Sequence, residues 1–188
     1  HYYSSIVNMY NNSVRNIYKI DGSTGSYYGI YLSNAALNGT CNYYNNSVYN
    51  IACGVSTAPI YGQYLAATSL NKNVYGNTVY NLRATTCGAV YGIYQSGGTN
   101  VKIYKNRIYD LRTSTGIGYG MYIASGTTNT IYNNYISDIR SDSSVTSPGV
   151  YGMYISGGTT NSVYYNTIYL NSVSTGATFG TSALYSST

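Results

Sequence analysis

Four Asp, no Glu and nine Lys or Arg supply the charge in 188 residues, so the positions of the acids decide what chemistry to look for. Asp110 and Asp138 each stand four residues after an Asn (Asn106, Asn134) and two before an Arg (Arg112, Arg140). Arg83 holds the matching place one copy earlier, and Asp142 lies close by. Clustered carboxylates and guanidinium groups suit sugar chemistry, because glycoside hydrolysis generally needs two carboxylates at a set separation. Two readings stand for this corner: a catalytic or Ca²⁺-binding patch, and a surface ion-pair ladder. The ladder is preferred, because earlier copies put Asn50 and Asn81 where the Asp would be. Exposed ion pairs contribute only about 0–1 kcal/mol each.

The other polar candidates are weaker. Lys102, Lys105 and Arg107 form a small basic cluster that reads as a solvated face. His1 is the only His and is terminal, so the many Ser have no partner base and a hydrolase triad is excluded. Cys41, Cys53 and Cys87 are odd in number and lack metal-ligand spacing. A Cys53–Cys87 disulfide is conceivable, and semi-buried thiols are preferred. No cofactor and no metal site is expected. A net charge of +5 without a basic run argues against a nucleic-acid partner. No apolar run approaches the ~20 residues that span a bilayer.

The elements that position these residues are repeats. An Asn recurs at Asn12, Asn46, Asn77, Asn106, Asn134 and Asn166, at steps of 34, 31, 29, 28 and 32 residues. Tyr stands two before each, and Val or Ile two after. Three further on comes Ile or Leu in five copies, and Asn171 in the sixth. A second pattern, Tyr-Gly-x-Tyr, tracks the first from Tyr28 to Tyr154, with Phe179-Gly180 as a degenerate sixth copy. Each unit holds three short alternating segments rich in Val, Ile and Tyr, bounded by Gly, Ser, Thr and Asn, which is strand patterning. No sustained helical period appears. Three strands per ~30-residue unit, repeated in register, predict an all-β parallel β-helix (solenoid) of about six coils of three short strands. Residues 1–188 read as one such array, with no composition shift.

The side chains then divide by face. Val14 to Ile168 and Ile30 to Met153 are expected as inward ladders. The Asn column is expected at a bend, each amide bonding the amides above and below. The Gly of Tyr-Gly-x-Tyr is expected to leave an outward position empty. Tyr is the compositional outlier, 28 residues against one Phe and no Trp. Tyr31, Tyr64, Tyr94, Tyr122 and Tyr154 predict one outward column, and Tyr49, Tyr80, Tyr109 and Tyr169 another. Two readings stand: structural stacking, and a sugar-stacking platform using Tyr94, Tyr122 and Tyr154. Asn11, Asn38 and Asn45 lie in N-x-S/T sequons, which matter only in a host that glycosylates them.

On Gly92-Ile93-Tyr94, Asn100 to Asn106 and their equivalents, the chain resembles the right-handed parallel β-helix repeats of pectate-lyase-like and NosD-like proteins. The resemblance covers essentially the whole chain, and the right-handedness is its implication. Tyr164 to Tyr185 is similar to repeats in large secreted surface proteins of Bacteroidota-type bacteria. These resemblances imply an extracellular or cell-surface location. One such fold hosts lyases, adhesins and fibres alike. The chain starts without Met and is read as a mature or fragmentary piece. Both ends read as ordinary repeat, so the array is expected to continue into further repeats or to stack end to end as a fibre. The expected role is a non-enzymatic filament or adhesin shaft. The alternative is a carbohydrate-binding or lyase-like β-helix with an extracellular polysaccharide as partner.

Overall fold

The computed structural model describes residues 5–19, 24–33, 38–54, 57–85 and 88–188. His1, Asp21 and Cys87 lie outside them. The described chain is all-β, in six coils of three strands. The first coil is β1 (Ile6–Tyr10), β2 (Ser13–Lys19) and β3 (Tyr27–Leu32); the second is β4 (Thr40–Tyr44), β5 (Ser47–Cys53) and β6 (Ile60–Leu65). The third is β7 (Asn71–Tyr75), β8 (Thr78–Ala84) and β9 (Val90–Gln95); the fourth is β10 (Asn100–Tyr104), β11 (Arg107–Thr113) and β12 (Gly118–Ile123). The fifth is β13 (Thr128–Tyr132), β14 (Tyr135–Ser141) and β15 (Val150–Ile155); the sixth is β16 (Thr160–Tyr164), β17 (Thr167–Tyr169) and β18 (Thr181–Ser186). The first strands of all coils form sheet A, the second sheet B and the third sheet C. Every pairing is parallel. This is the expected β-solenoid.

Its core is a set of aliphatic columns. Val48, Val79, Ile108 and Ile136 stack in sheet B, and Ile93, Met121 and Met153 in sheet C, all fully buried. Burying each such side chain contributes about 1.5–3 kcal/mol. In the sixth copy Asn171 is exposed, and Leu170, one residue earlier, packs against the core instead. β17 there is only three residues long.

Two expectations need correction. The Gly of Tyr-Gly-x-Tyr faces inward. A Cβ on Gly92 would lie 2.5 Å from the Gly120 carbonyl oxygen and 2.5 Å from Ile108 Cγ2. Gly92 and Ile93 are consecutive buried residues, and the pairing steps from Tyr91↔Tyr119 to Ile93↔Met121 with the Gly skipped. Two inward residues in a row put both tyrosines of the motif on the outer face. Phe179-Gly180 is also not the sixth Tyr-Gly, because Ser182 pairs with Tyr151 and Tyr185 with Tyr154. The sixth copy is therefore Ser182-Ala183-Leu184-Tyr185, three residues later than its sequence suggests.

Candidate functional site

Each coil turns from sheet A to sheet B through two residues. The first takes the left-handed conformation: φ is 57° at Asn11, 53° at Asn45, 65° at Gly76, 56° at Lys105, 54° at Asn133 and 55° at Tyr165. The second is the column Asn. The Asn77 side chain donates to Asn106 Oδ1 at 2.9 Å and to the Tyr43 carbonyl at 3.1 Å, and the Asn77 backbone N–H donates to the same Oδ1 at 3.0 Å. Asn12, Asn46, Asn106, Asn134 and Asn166 continue the pattern. Asn46, Asn77 and Asn106 are essentially unexposed. The column is the expected structural ladder, in which each amide satisfies backbone groups as well as its neighbour.

The charged corner lies inside sheet B, at a second left-handed position. Asn16, Asn50, Asn81, Asp110 and Asp138 occupy it, with φ between 51° and 60°. Asn and Asp are the non-glycine residues that tolerate this region most readily, so the sequence requirement is first a backbone one. The amides stack, Asn81 onto Asn50 at 2.5 Å and Asn50 onto Asn16 at 3.1 Å. Where Asp replaces Asn, an Arg takes over. Arg83 donates to Asp110 Oδ1 at 2.6 Å and to the Asp110 carbonyl at 2.8 Å, crossing one coil. Arg140 donates to Asp138 Oδ1 at 2.6 Å along its own strand. Arg112 pairs with Asp142, not with Asp110 or Asp138. The carboxylate of Asp138 pushes the Arg140 pKa up.

All of these side chains are partly exposed, and each carboxylate is committed to an arginine. A depression of about 400 Å³ lies beside them, lined by Arg83, Thr85, Arg112, Thr113, Ser114 and Asp142. The arginines on its wall are both paired, Arg83 with Asp110 and Arg112 with Asp142. Among the described residues no cluster of His, Cys, Asp or Glu could hold a metal ion.

Lys102, Lys105 and Arg107 do not form one patch. Lys102 is on sheet A, Lys105 at the turn and Arg107 on sheet B. The Arg107 guanidinium lies over Tyr109 at 4.8 Å and near Tyr135 at 5.8 Å, a cation–π contact across coils.

The tyrosines stack in register. The column of Tyr31, Tyr64, Tyr94, Tyr122 and Tyr154 continues to Tyr185, with ring centroids 4.8–5.1 Å apart. Beside it runs a column that sequence reasoning missed, Tyr28, Tyr61, Tyr91, Tyr119 and Tyr151, at 4.7–5.2 Å. The two meet edge to face, as Tyr91 meets Tyr94 at 5.4 Å and 90°. A third column runs from Tyr10 to Tyr164 on sheet A. The Tyr49 column is shorter than expected: it stacks through Tyr80 to Tyr109, and Ser137 then separates it from Tyr169. Stacking covers the ring faces of Tyr94, Tyr122 and Tyr154. What they offer to solvent is edge and hydroxyl, whereas a sugar platform needs a bare face.

One buried cation has no sequence motif around it. Lys72 is unexposed, and its Nζ donates to the carbonyls of Leu65 (3.0 Å), Ser96 (3.0 Å) and Gly97 (3.3 Å) and to Gln95 Oε1 (3.1 Å). Burial pushes its pKa down to about 7, and the neighbouring Cys41 opposes the shift. Cys41 pairs in register with Lys72; it is a buried free thiol whose own pKa burial raises. Cys53 is also buried, and its suggested pairing with Cys87 falls outside the described residues. The signal for Lys72 was strict alternation in Asn71–Tyr75: an inward Val74 forces an inward residue two before it.

Among the described residues no helix is long and apolar enough to cross a membrane. In comparisons with protein-family models, curated proteins and solved structures, the chain matched none.

Proposed function

We propose that the chain is a non-enzymatic structural β-solenoid, a stiff shaft in an extracellular filament or adhesin. The observation that carries this reading is where the repeated polar and aromatic residues are spent. The Asn ladder and the long tyrosine columns make coil-to-coil contacts along the axis. The carboxylates of the charged corner are tied to arginines and so lack the free pair that glycoside hydrolysis would use. The extracellular placement rests on the resemblance to repeats of secreted surface proteins, and labelling of intact cells with an antibody tests it. The partner implied is more of the same solenoid, stacked axially so that strands and ladders continue through the junction.

Electron microscopy of concentrated protein tests the stacking: filaments of one-coil width are expected, and monodisperse short particles would sink it. A glycan array with a lyase assay on acidic polysaccharides tests the non-enzymatic part. Binding or turnover lost in Asp110→Ala and Arg112→Ala would replace the shaft with a carbohydrate-active β-helix.

A further inference from the structure

The double tyrosine column of sheet C has a property that stacking for stability does not require. Its outer file, Tyr31 to Tyr185, is unbroken ring contact at 4.8–5.1 Å over six coils, with ring planes within 23° of parallel. The chain has no Trp, so Tyr is its most readily oxidised aromatic side chain. We propose that this outer file is a relay for one-electron oxidising equivalents, carrying a tyrosyl radical along the solenoid axis.

An external one-electron oxidant takes an electron from one phenol and is itself reduced. The phenol loses its O–H proton to water, leaving a neutral phenoxyl radical. The next ring then gives an electron to that radical and its own phenolic proton to water. The first ring takes a proton back from water and is a phenol again. Donor and acceptor are the same group in nearly the same setting, so each hop is close to thermoneutral and runs in both directions. Only the electron must cross between rings. The protons exchange with solvent, because the outer rings are all at least partly exposed, Tyr31 and Tyr185 most clearly.

The inner file confines the radical. Tyr119 and Tyr151 are 9% exposed. With little water beside them to take the phenolic proton that must leave with the electron, these rings form the neutral radical more slowly than their outer neighbours; burial also raises the pKa of Tyr91 and Tyr119. The buried thioethers of Met121 and Met153 lie on the opposite, inward face of the same strands. The radical therefore travels on the solvent side of a two-ring layer, away from the sulfur of the core. The proposal rests on ring geometry and stands apart from the structural role above.

The test uses the full chain with Tyr185→3-aminotyrosine, a side chain that is easier to oxidise and whose radical has its own spectrum. Flash-generated ruthenium(III) tris-bipyridine serves as oxidant, and the aminotyrosyl radical formed per oxidant consumed is measured. With the file intact, the trap collects equivalents captured on every coil. Tyr119→Phe with Tyr122→Phe keeps the stacked shape but removes the phenols that carry the radical, and the trapped yield should fall severalfold. Tyr104→Phe, in the separate column on sheet A, should leave it unchanged. If the double substitution disturbs the fold by circular dichroism, Tyr91→Phe with Tyr94→Phe makes the same cut one coil away. An unchanged yield in a folded, cut variant overturns the proposal, as does an equal loss in Tyr104→Phe.

Discussion

Two corners bend the chain through the same left-handed backbone, the first in all six coils and the second in five, and they carry different residues. At the turn between sheets A and B, the residue after the bend is Asn in every coil from Asn12 to Asn166, and the central ones are buried. At the bend within sheet B, Asn16, Asn50 and Asn81 give way to Asp110 and Asp138, which are about one-third exposed. The backbone demand is alike, so burial makes the difference. A buried amide must donate and accept at once to satisfy its neighbours, which a carboxylate cannot do. An exposed position can trade amide for carboxylate once an arginine arrives. Constancy at the first corner is a hydrogen-bonding requirement, and drift at the second marks its absence.

Substitutions rank the two corners. Asn106→Ala removes the side chain that serves Asn77, Asn134 and the Val74 carbonyl. Leaving these buried groups unpaired should cost about 3–5 kcal/mol, read as a shift in chemical denaturation midpoint. A cost below about 1 kcal/mol would break the comparison. Lys72, on β7 of sheet A, reaches with its ammonium into the third corner, between sheets C and A. Its folded pKa lies near 7 against an ordinary 10.5, so above pH 7 the unfolded chain binds a proton that the folded chain lacks. Stability should therefore rise with pH from 7 towards 9, by at most about 1.4 kcal/mol per unit. Beyond that, Cys41 opposes the rise, since its folded pKa is raised above the usual 9.0. Lys72→Met should flatten the profile, and equal slopes in both proteins would remove Lys72 as the cause.

Smaller effects sharpen the contrast. Lys105 holds a left-handed φ where Asn11, Asn45 and Asn133 sit in other coils. Lys105→Asn should stabilise by about 0.5–1 kcal/mol through relief of that conformation, and thermal unfolding would show it. Asp110→Asn restores the residue of the neighbouring coil and gives up one partly exposed ion pair with Arg83. Its cost should stay under about 1 kcal/mol and shrink in salt. A larger, salt-independent loss would mean that the second corner is as demanding as the first.

Much of this was legible because the repeat compares each residue with its counterparts in the other coils. The Asn spacing located one corner, and the Val/Ile and Ile/Met columns located the core. The Asn-to-Asp exchange at 50, 81, 110 and 138 already spoke for a ladder. What escaped were breaks in period two. Tyr-Gly-x-Tyr read as plain alternation puts its tyrosines on opposite faces, and only the inward glycine puts both outside. That error hid the Tyr28–Tyr151 column and the covered faces of Tyr94, Tyr122 and Tyr154. Ion-pair partners were not legible either, because Arg112 could reach several acids and the fold gives it Asp142.

The turn between sheets A and B is two residues long in all six coils, while the other two turns vary. Length changes are thus absorbed on two edges of the column and leave the third untouched. Such a chain can grow by whole coils. A duplication of residues 100–127, the span from Asn100 to its partner Thr128, would slot between existing coils with its ladders already matched. It should extend the column by about 4.8 Å. Unequal recombination within such a gene would yield longer and shorter shafts that all fold, so length could evolve faster than any single side chain.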